Sequence, residues 1–230
     1  MSIGDAEIKT QERVIRFFKD PEILGYQYIG NLSDYQNKNI KEDRLRQYLR
    51  LKGYADKLVD AAVMQLQQEA GNLSRGVYDA NKTVYSRLKY GIPVSESPEK
   101  PPVTVQLVDE EKPLNNDFAI AEEVTVVEQS EKRPDLVVYL NGIAVAVIEL
   151  KRSSISVSEG IRQNLTNQKN SFIQSFFTTM QFCMAGNESE GLRYGTLLTG
   201  EKFYMEWKDD GFKEHEEERD SVDVRISKTC

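Results

Sequence analysis

The sequence predicts an α/β protein of the α+β type, a mixed central β-sheet flanked by helices, and three observations carry that prediction. Apolar residues recur at helical spacing through the first ninety residues. Beyond a Pro/Ser/Glu connector at 95–102 the pattern becomes β-branched and alternating. A helical segment at 156–168 then interrupts the strand-rich half. Helices, then strands around one helix, is the order expected of a sheet with helices packed on it.

Each element follows from its residues. Residues 10–18 put Val14, Phe17 and Phe18 on one helical face, and Pro21 closes the segment. Asn39 is the expected cap of a second helix carrying Leu45, Tyr48 and Leu49, ended by Gly53. Residues 56–70 form a third through Leu58, Ala61, Ala62 and Leu66, and 77–90 a fourth that stops at Gly91-Ile92-Pro93. Strands are expected at 103–107, 118–127 and 136–150, the last folded on itself at Asn141-Gly142. Residues 172–184 read as a helical turn running into a buried strand at 178–184. Residues 193–198 and 202–207 read as a closing hairpin around Thr199-Gly200-Glu201. The first 102 residues are thus a helical N-terminal region packed on a core at 103–210, and 211–230 is an acidic tail or linker.

Composition narrows the chemistry. A hydrophobic fraction of 39% with 29% charged residues fits a soluble protein. No apolar run approaches the roughly 20 residues of a membrane span. Residues 1–5 carry neither a basic leader nor an apolar core, so no signal peptide is read and a cytoplasmic location is expected. Cys183 and Cys230 are the only cysteines and His215 the only histidine. That argues against disulfide frameworks, cysteine zinc sites and Ser-His-Asp triads. Carboxylates, Lys, Tyr or Ser must do the chemistry. The net charge of −7, with an acidic run at 214–218, argues against gripping nucleic acid by overall charge. It leaves room for a site that is acidic because it holds Mg²⁺.

Glu-x-Lys occurs four times, at Glu7, Glu110, Glu149 and Glu206. Only Glu149-Leu150-Lys151 ends a strand, 143–148, that is apolar at every position and so expected to be buried on both faces. Charges at the end of such a strand are costly without partners. Across the hairpin stands Asp135. A two-residue Asn141-Gly142 loop would pair Asp135 with Ile148 and turn Asp135 and Glu149 to opposite faces. A three-residue loop Leu140-Asn141-Gly142, with Gly142 in a bulge, brings Asp135, Glu149 and Lys151 to one face, so the three-residue loop is expected. Two carboxylates from adjacent strands can bind one or two Mg²⁺ ions, with Lys151 orienting a water or stabilising charge on a phosphate. Glu12, in the first helix, is a candidate third acid. An ordinary ion-pair cluster at the end of a hairpin is the competing reading.

The run Arg133-Pro134-Asp135 through Glu149-Leu150-Lys151 resembles the nuclease motif of the R subunit of type I restriction endonucleases, within the PD-(D/E)xK nuclease superfamily. Asn115-Asn116-Asp117-Phe118, Gly160-Ile161-Arg162-Gln163-Asn164 and Gly191-Leu192-Arg193-Tyr194-Gly195 resemble its flanking segments. The resemblance covers about 103–208 well and the helical N-terminus loosely. It implies a restriction-endonuclease-like core, Asp135 and Glu149 as metal ligands, Lys151 as the catalytic lysine, and Mg²⁺ as cofactor with Mn²⁺ as substitute. The family's Gln-x-x-x-Tyr element finds Gln163, but Asn167 stands at the Tyr position. No phosphate loop of the Gly-x-x-x-x-Gly-Lys-Ser/Thr kind occurs, so ATP would act only in a motor domain outside this chain.

What the resemblance implies is a DNA endonuclease domain acting after ATP-driven translocation. Its partners are double-stranded DNA and the modification (methyltransferase) and specificity subunits. Alternatives are another nuclease of the superfamily, such as a recombination exonuclease or junction resolvase, and an inactive docking module.

Overall fold

The computed structural model describes residues 3–97 and 99–208; the acidic run 214–218, His215, Cys230 and the 211–230 tail lie outside them. The N-terminal helices are α1 (Ile3–Lys19), α2 (Glu42–Leu51), α3 (Asp56–Gly71) and α4 (Val77–Tyr90). The strands are β1 (Gln27–Asn31), β2 (Ile92–Val94), β3 (Val103–Val105), β4 (Phe118–Glu122), β5 (Val126–Val127), β6 (Glu131–Lys132), β7 (Leu136–Leu140), β8 (Ile143–Leu150), β9 (Phe182–Asn187), β10 (Gly191–Gly195) and β11 (Met205–Glu206). Helix α5 (Val157–Asn167) lies between β8 and β9. The main sheet is mixed and seven-stranded, in the order β1-β4-β7-β8-β9-β10-β11. The β1/β4 and β8/β9 pairs are parallel. Parallel neighbours need a long crossover, and α5 supplies the one joining β8 to β9.

Alternation along the strands builds two cores. On one face Ile120, Leu136, Val138, Ile148 and Leu150 meet Val14, Ile15, Phe17 and Phe18 of α1. On the other, Ala121, Val137, Val147 and Cys183 pack with Phe176 and Phe177, and Val157 and Ile161 of α5 meet Ala185. Strand β8 is buried nearly throughout, as its unbroken apolar run requires. A third cluster joins α2, α3 and α4 to β2 and β3. No helix among the described residues is long and apolar enough to cross a membrane.

The β7/β8 hairpin corrects the expected three-residue loop. Leu140 pairs with Ile143 and Tyr139 with Ala144, so the loop is Asn141-Gly142 alone. Both loop residues are left-handed, at φ 53° and 83°, as a type I′ turn demands. Tertiary bonds hold this tight form. Asn141 Oδ1 accepts from Asp117 N at 2.7 Å and its Nδ2 donates to Leu107 O at 2.8 Å. A Cβ on Gly142 would lie 2.7 Å from Lys41 O. The register is then restored by a bulge: Val138 pairs with Ala146, leaving Val145 extra, and Leu136 pairs with Ile148. The Val145 carbonyl, turned out of the ladder, accepts from Gln181 N at 2.7 Å. A bulge two residues past the turn thus does what a longer loop was expected to do.

Smaller differences have equally local causes. Asn39 does not cap α2; its Nδ2 donates to Ser175 O and Thr178 Oγ1, each at 2.9 Å, and Lys41 occupies the cap position. The helical N-terminal region also contributes two strands, β1, because β4 offers it a parallel partner, and β2, which pairs antiparallel with β3. Residues 174–179 are 3₁₀-helical and the strand expected from 178 begins at Phe182. Asn81 Nδ2 holds the intervening bend by donating to Met180 O at 2.8 Å. The last hairpin pairs only Arg193 with Glu206 and Tyr194 with Met205, and its connection contains a 3₁₀ turn at Glu201–Phe203.

Candidate active site

One residue beyond the Leu136–Ile148 pair, the bulged register sets Asp135 opposite Glu149. Pro134 is buried at the strand entrance, where its missing N–H costs no ladder bond. Its carbonyl accepts from Val124 N at 3.0 Å and that of Asp135 from Glu123 N at 2.8 Å. The Asp135 side chain is fixed as well, Oδ2 accepting from Leu150 N at 2.7 Å.

Glu149 is fully buried. Its Oε2 accepts from Gln163 Nε2 at 2.7 Å. Its Oε1 has no hydrogen-bond partner among the described residues. Burial is the main reason its carboxyl is held well above the usual range, and the negative charge of Asp135 raises it further. Lys151 acts in the opposite direction. The Asp135 carboxyl lies within hydrogen-bonding reach, which also raises Glu149, and two acids that close need a proton or a cation between them. Lys151 follows β8, anchored by its backbone N–H to Gly186 O at 2.9 Å.

Gln163 reaches Glu149 because α5 lies unusually close to the sheet. Ser156 caps the helix, its Oγ accepting from Ser158 N, and Asn164 Nδ2 donates to Met184 O at 2.9 Å. A Cβ on Gly160 would come 3.0 Å from the Ala185 Cβ and 3.5 Å from that of Glu149. Both neighbours are rigid strand positions. Gly160→Val is therefore expected to push α5 outward, costing on the order of 1–3 kcal/mol in stability by overpacking and loosening the Gln163 bond. Chemical denaturation and the pH titration of Glu149 followed by NMR would check this; an unchanged titration would show that Gln163 does not depend on the close approach. Asn167, at the position of the Tyr that the resemblance implies, is buried in the α5 interface.

A cavity of about 750 Å³ opens at this end of the sheet, lined by Glu12, Glu122, Glu123, Arg133, Asp135 and Gln163, among others. Glu12 thus shares the cavity with Asp135 and Gln163. Among the described residues, no group of three or more His, Cys, Asp or Glu side chains is arranged to hold a metal ion. The other Glu-x-Lys copies among the described side chains are unlike this one: Glu110 is exposed in a loop, and Glu206 is exposed on β11 and ion-paired to Arg193 at 2.8 Å. Sequence reasoning missed Glu123 and Gln11. Gln11 Nε2 donates to Glu122 Oε2 at 2.9 Å and Glu123 Oε1 at 3.3 Å. The strand expected at 118–127 runs through both glutamates, whereas β4 ends at Glu122 and Glu123 turns left-handed at φ 52°.

The site passes a simple test of fit for a hard divalent cation. Its donors are carboxylate oxygens, one of them buried and without a donor of its own. Mg²⁺ takes a few carboxylates and keeps several waters, whereas zinc sites favour nitrogen and sulfur.

A family model described as type I restriction enzyme R protein N terminus matches residues 7–203. That span contains every candidate residue named above. No curated protein matches the chain.

Proposed function

Because the chain belongs to the type I restriction enzyme R protein N-terminus family, we propose that it is the DNA-cleaving part of that subunit, a Mg²⁺-dependent endonuclease domain of the PD-(D/E)xK kind. The observation that carries this reading is the Asp135–Glu149 pair, one carboxyl fully buried and the two within reach of a shared proton or cation.

Asp135 and Glu149 would hold the metal, which supplies Lewis-acid assistance to the scissile phosphate. Leu150 N–H keeps the Asp135 carboxylate turned toward Glu149. Gln163 fixes the Glu149 carboxylate through Oε2 and leaves Oε1 available. Lys151 orients the attacking water and offsets charge on the phosphate. Water adds to phosphorus, one ester P–O bond breaks, and the leaving oxygen takes up a proton. Translocation by an ATP-driven motor and sequence recognition by the modification and specificity subunits belong to the rest of the complex. Double-stranded DNA is the substrate.

Metal binding tests the reading on the chain itself. Titration with Mn²⁺ or Mg²⁺ in a calorimeter is expected to give binding heat for the unaltered chain, at least about tenfold weaker affinity for Asp135→Asn, and retained binding for Lys151→Ala. A chain that binds neither ion would overturn the nuclease reading in favour of a docking module.

A further inference from the structure

Resting on that nuclease reading, we infer that Arg133, held by Glu123, is the group that clamps the DNA phosphate at the mouth of the cavity.

The cavity walls carry four acids, Glu12, Glu122, Glu123 and Asp135, and among the described lining residues the single cation is Arg133. A phosphodiester entering such a cavity meets repulsion, and a fixed cation on the wall offsets it before the phosphate reaches the metal and Lys151. Arg133 is built for that task. Its Nε pairs with Glu123 Oε2 at 2.7 Å, while its side chain remains 56% exposed. A guanidinium bound through Nε still carries four N–H donors on its two Nη atoms, in a plane that the ion pair orients. That fork matches two phosphate oxygens.

Its placement relative to Asp135 is rigid. Pro134 separates the two residues, has a fixed φ, and is buried with its carbonyl bonded to Val124 N. Glu123 is itself set in an unusual conformation. Its φ of 52° is left-handed, rare for a non-glycine residue and characteristic of functional sites. Its N–H donates to Asp135 O at 2.8 Å, and Gln11 Nε2 donates to its Oε1 at 3.3 Å. The same short segment therefore fixes the first metal-binding acid and aims the guanidinium beside it.

An exposed ion pair without function would make the alternative prediction that Arg133 can be replaced freely. The test uses the full-length subunit in its assembled complex, with single-turnover plasmid cleavage, ATP turnover and melting temperature measured for each variant. Arg133→Gln is expected to lower cleavage about 100-fold, the usual loss for one charge-stabilising donor. Arg133→Lys should recover to within about tenfold of the unaltered protein, since it keeps the charge without the fork. Glu123→Gln should fall between them, and ATP turnover and melting temperature should stay constant. Unaltered cleavage by Arg133→Gln, alongside loss in Asp135→Asn, overturns the inference and leaves the nuclease reading standing. Equal loss in Arg133→Gln and Arg133→Lys with a lowered melting temperature also overturns it, as the mark of a structural role. Full cleavage by Asp135→Asn removes the nuclease reading itself.

Discussion

Asp135→Asn in the full-length subunit is expected to reduce DNA cleavage by at least about 10³-fold, with folding intact. Asparagine is the informative replacement because its side-chain oxygen can still accept from Leu150 N, the 2.7 Å bond that Asp135 makes. Alanine would leave that backbone N–H without its acceptor, at about 1–3 kcal/mol, and so mix a folding defect with a catalytic one. What asparagine removes is the charge opposite Glu149. A divalent cation then keeps one anionic ligand, and Glu149, freed of a neighbouring negative charge, is less strongly raised. Glu149→Gln and Lys151→Ala should be equally silent in cleavage, and since the three act as a unit the double variants should be no worse than the single ones. Plasmid cleavage with ATP turnover as the control separates the effect from any failure of translocation. Cleavage by Asp135→Asn at the unaltered rate would remove Asp135 from the site.

Much of this arrangement could be read from the residues, and the limits are physical. Strand β8 was predictable because an unbroken apolar run has to be buried on both faces, and it is. Helix α5 was predictable because residues 156–168 carry a helical pattern of their own, and Ser156 at its start does cap it locally, its Oγ accepting from Ser158 N. The loop was not. Whether Asn141-Gly142 makes a two- or three-residue turn depends on Asp117, Leu107 and Lys41, and the bulge at Val145 depends on Gln181. All of these are distant in sequence. The demand that Asp135 face Glu149 gave the right side of the sheet for a register that a bulge, not the loop, provides. Strand β1 escaped for a related reason: its partner β4 lies some ninety residues on, and a short half-buried segment has no strong pattern of its own. Glu123 was hidden because a left-handed glutamate leaves no trace in periodicity.

The contribution of Glu149 to the stability of the metal-free chain is expected to be lost as pH rises above about 4.5, and Glu149→Gln to remove that loss. The sign follows from the direction of the shift. Burial and the Asp135 charge hold the folded carboxyl of Glu149 above its ordinary 4.5, so the folded state binds this proton more tightly than the unfolded state. The associated stability is fully present below the unfolded value and disappears as pH climbs through the folded one. Glutamine resembles the protonated acid at every pH. The two proteins should therefore melt alike near pH 4 and diverge toward pH 8. There the variant gains on the order of 1–3 kcal/mol, the usual scale for relieving a buried charge, or about 2–4 °C for each kcal/mol in a chain of this size. Mg²⁺ should reverse the order. It binds the deprotonated pair, so its stabilisation grows with pH, reaching about 2.7 kcal/mol at a hundredfold excess over the dissociation constant, while Glu149→Gln gains little. Thermal melts from pH 4 to 8 with and without Mg²⁺ provide the measurement. Parallel pH curves for the two metal-free proteins would show that no proton on Glu149 is linked to folding and would overturn the prediction.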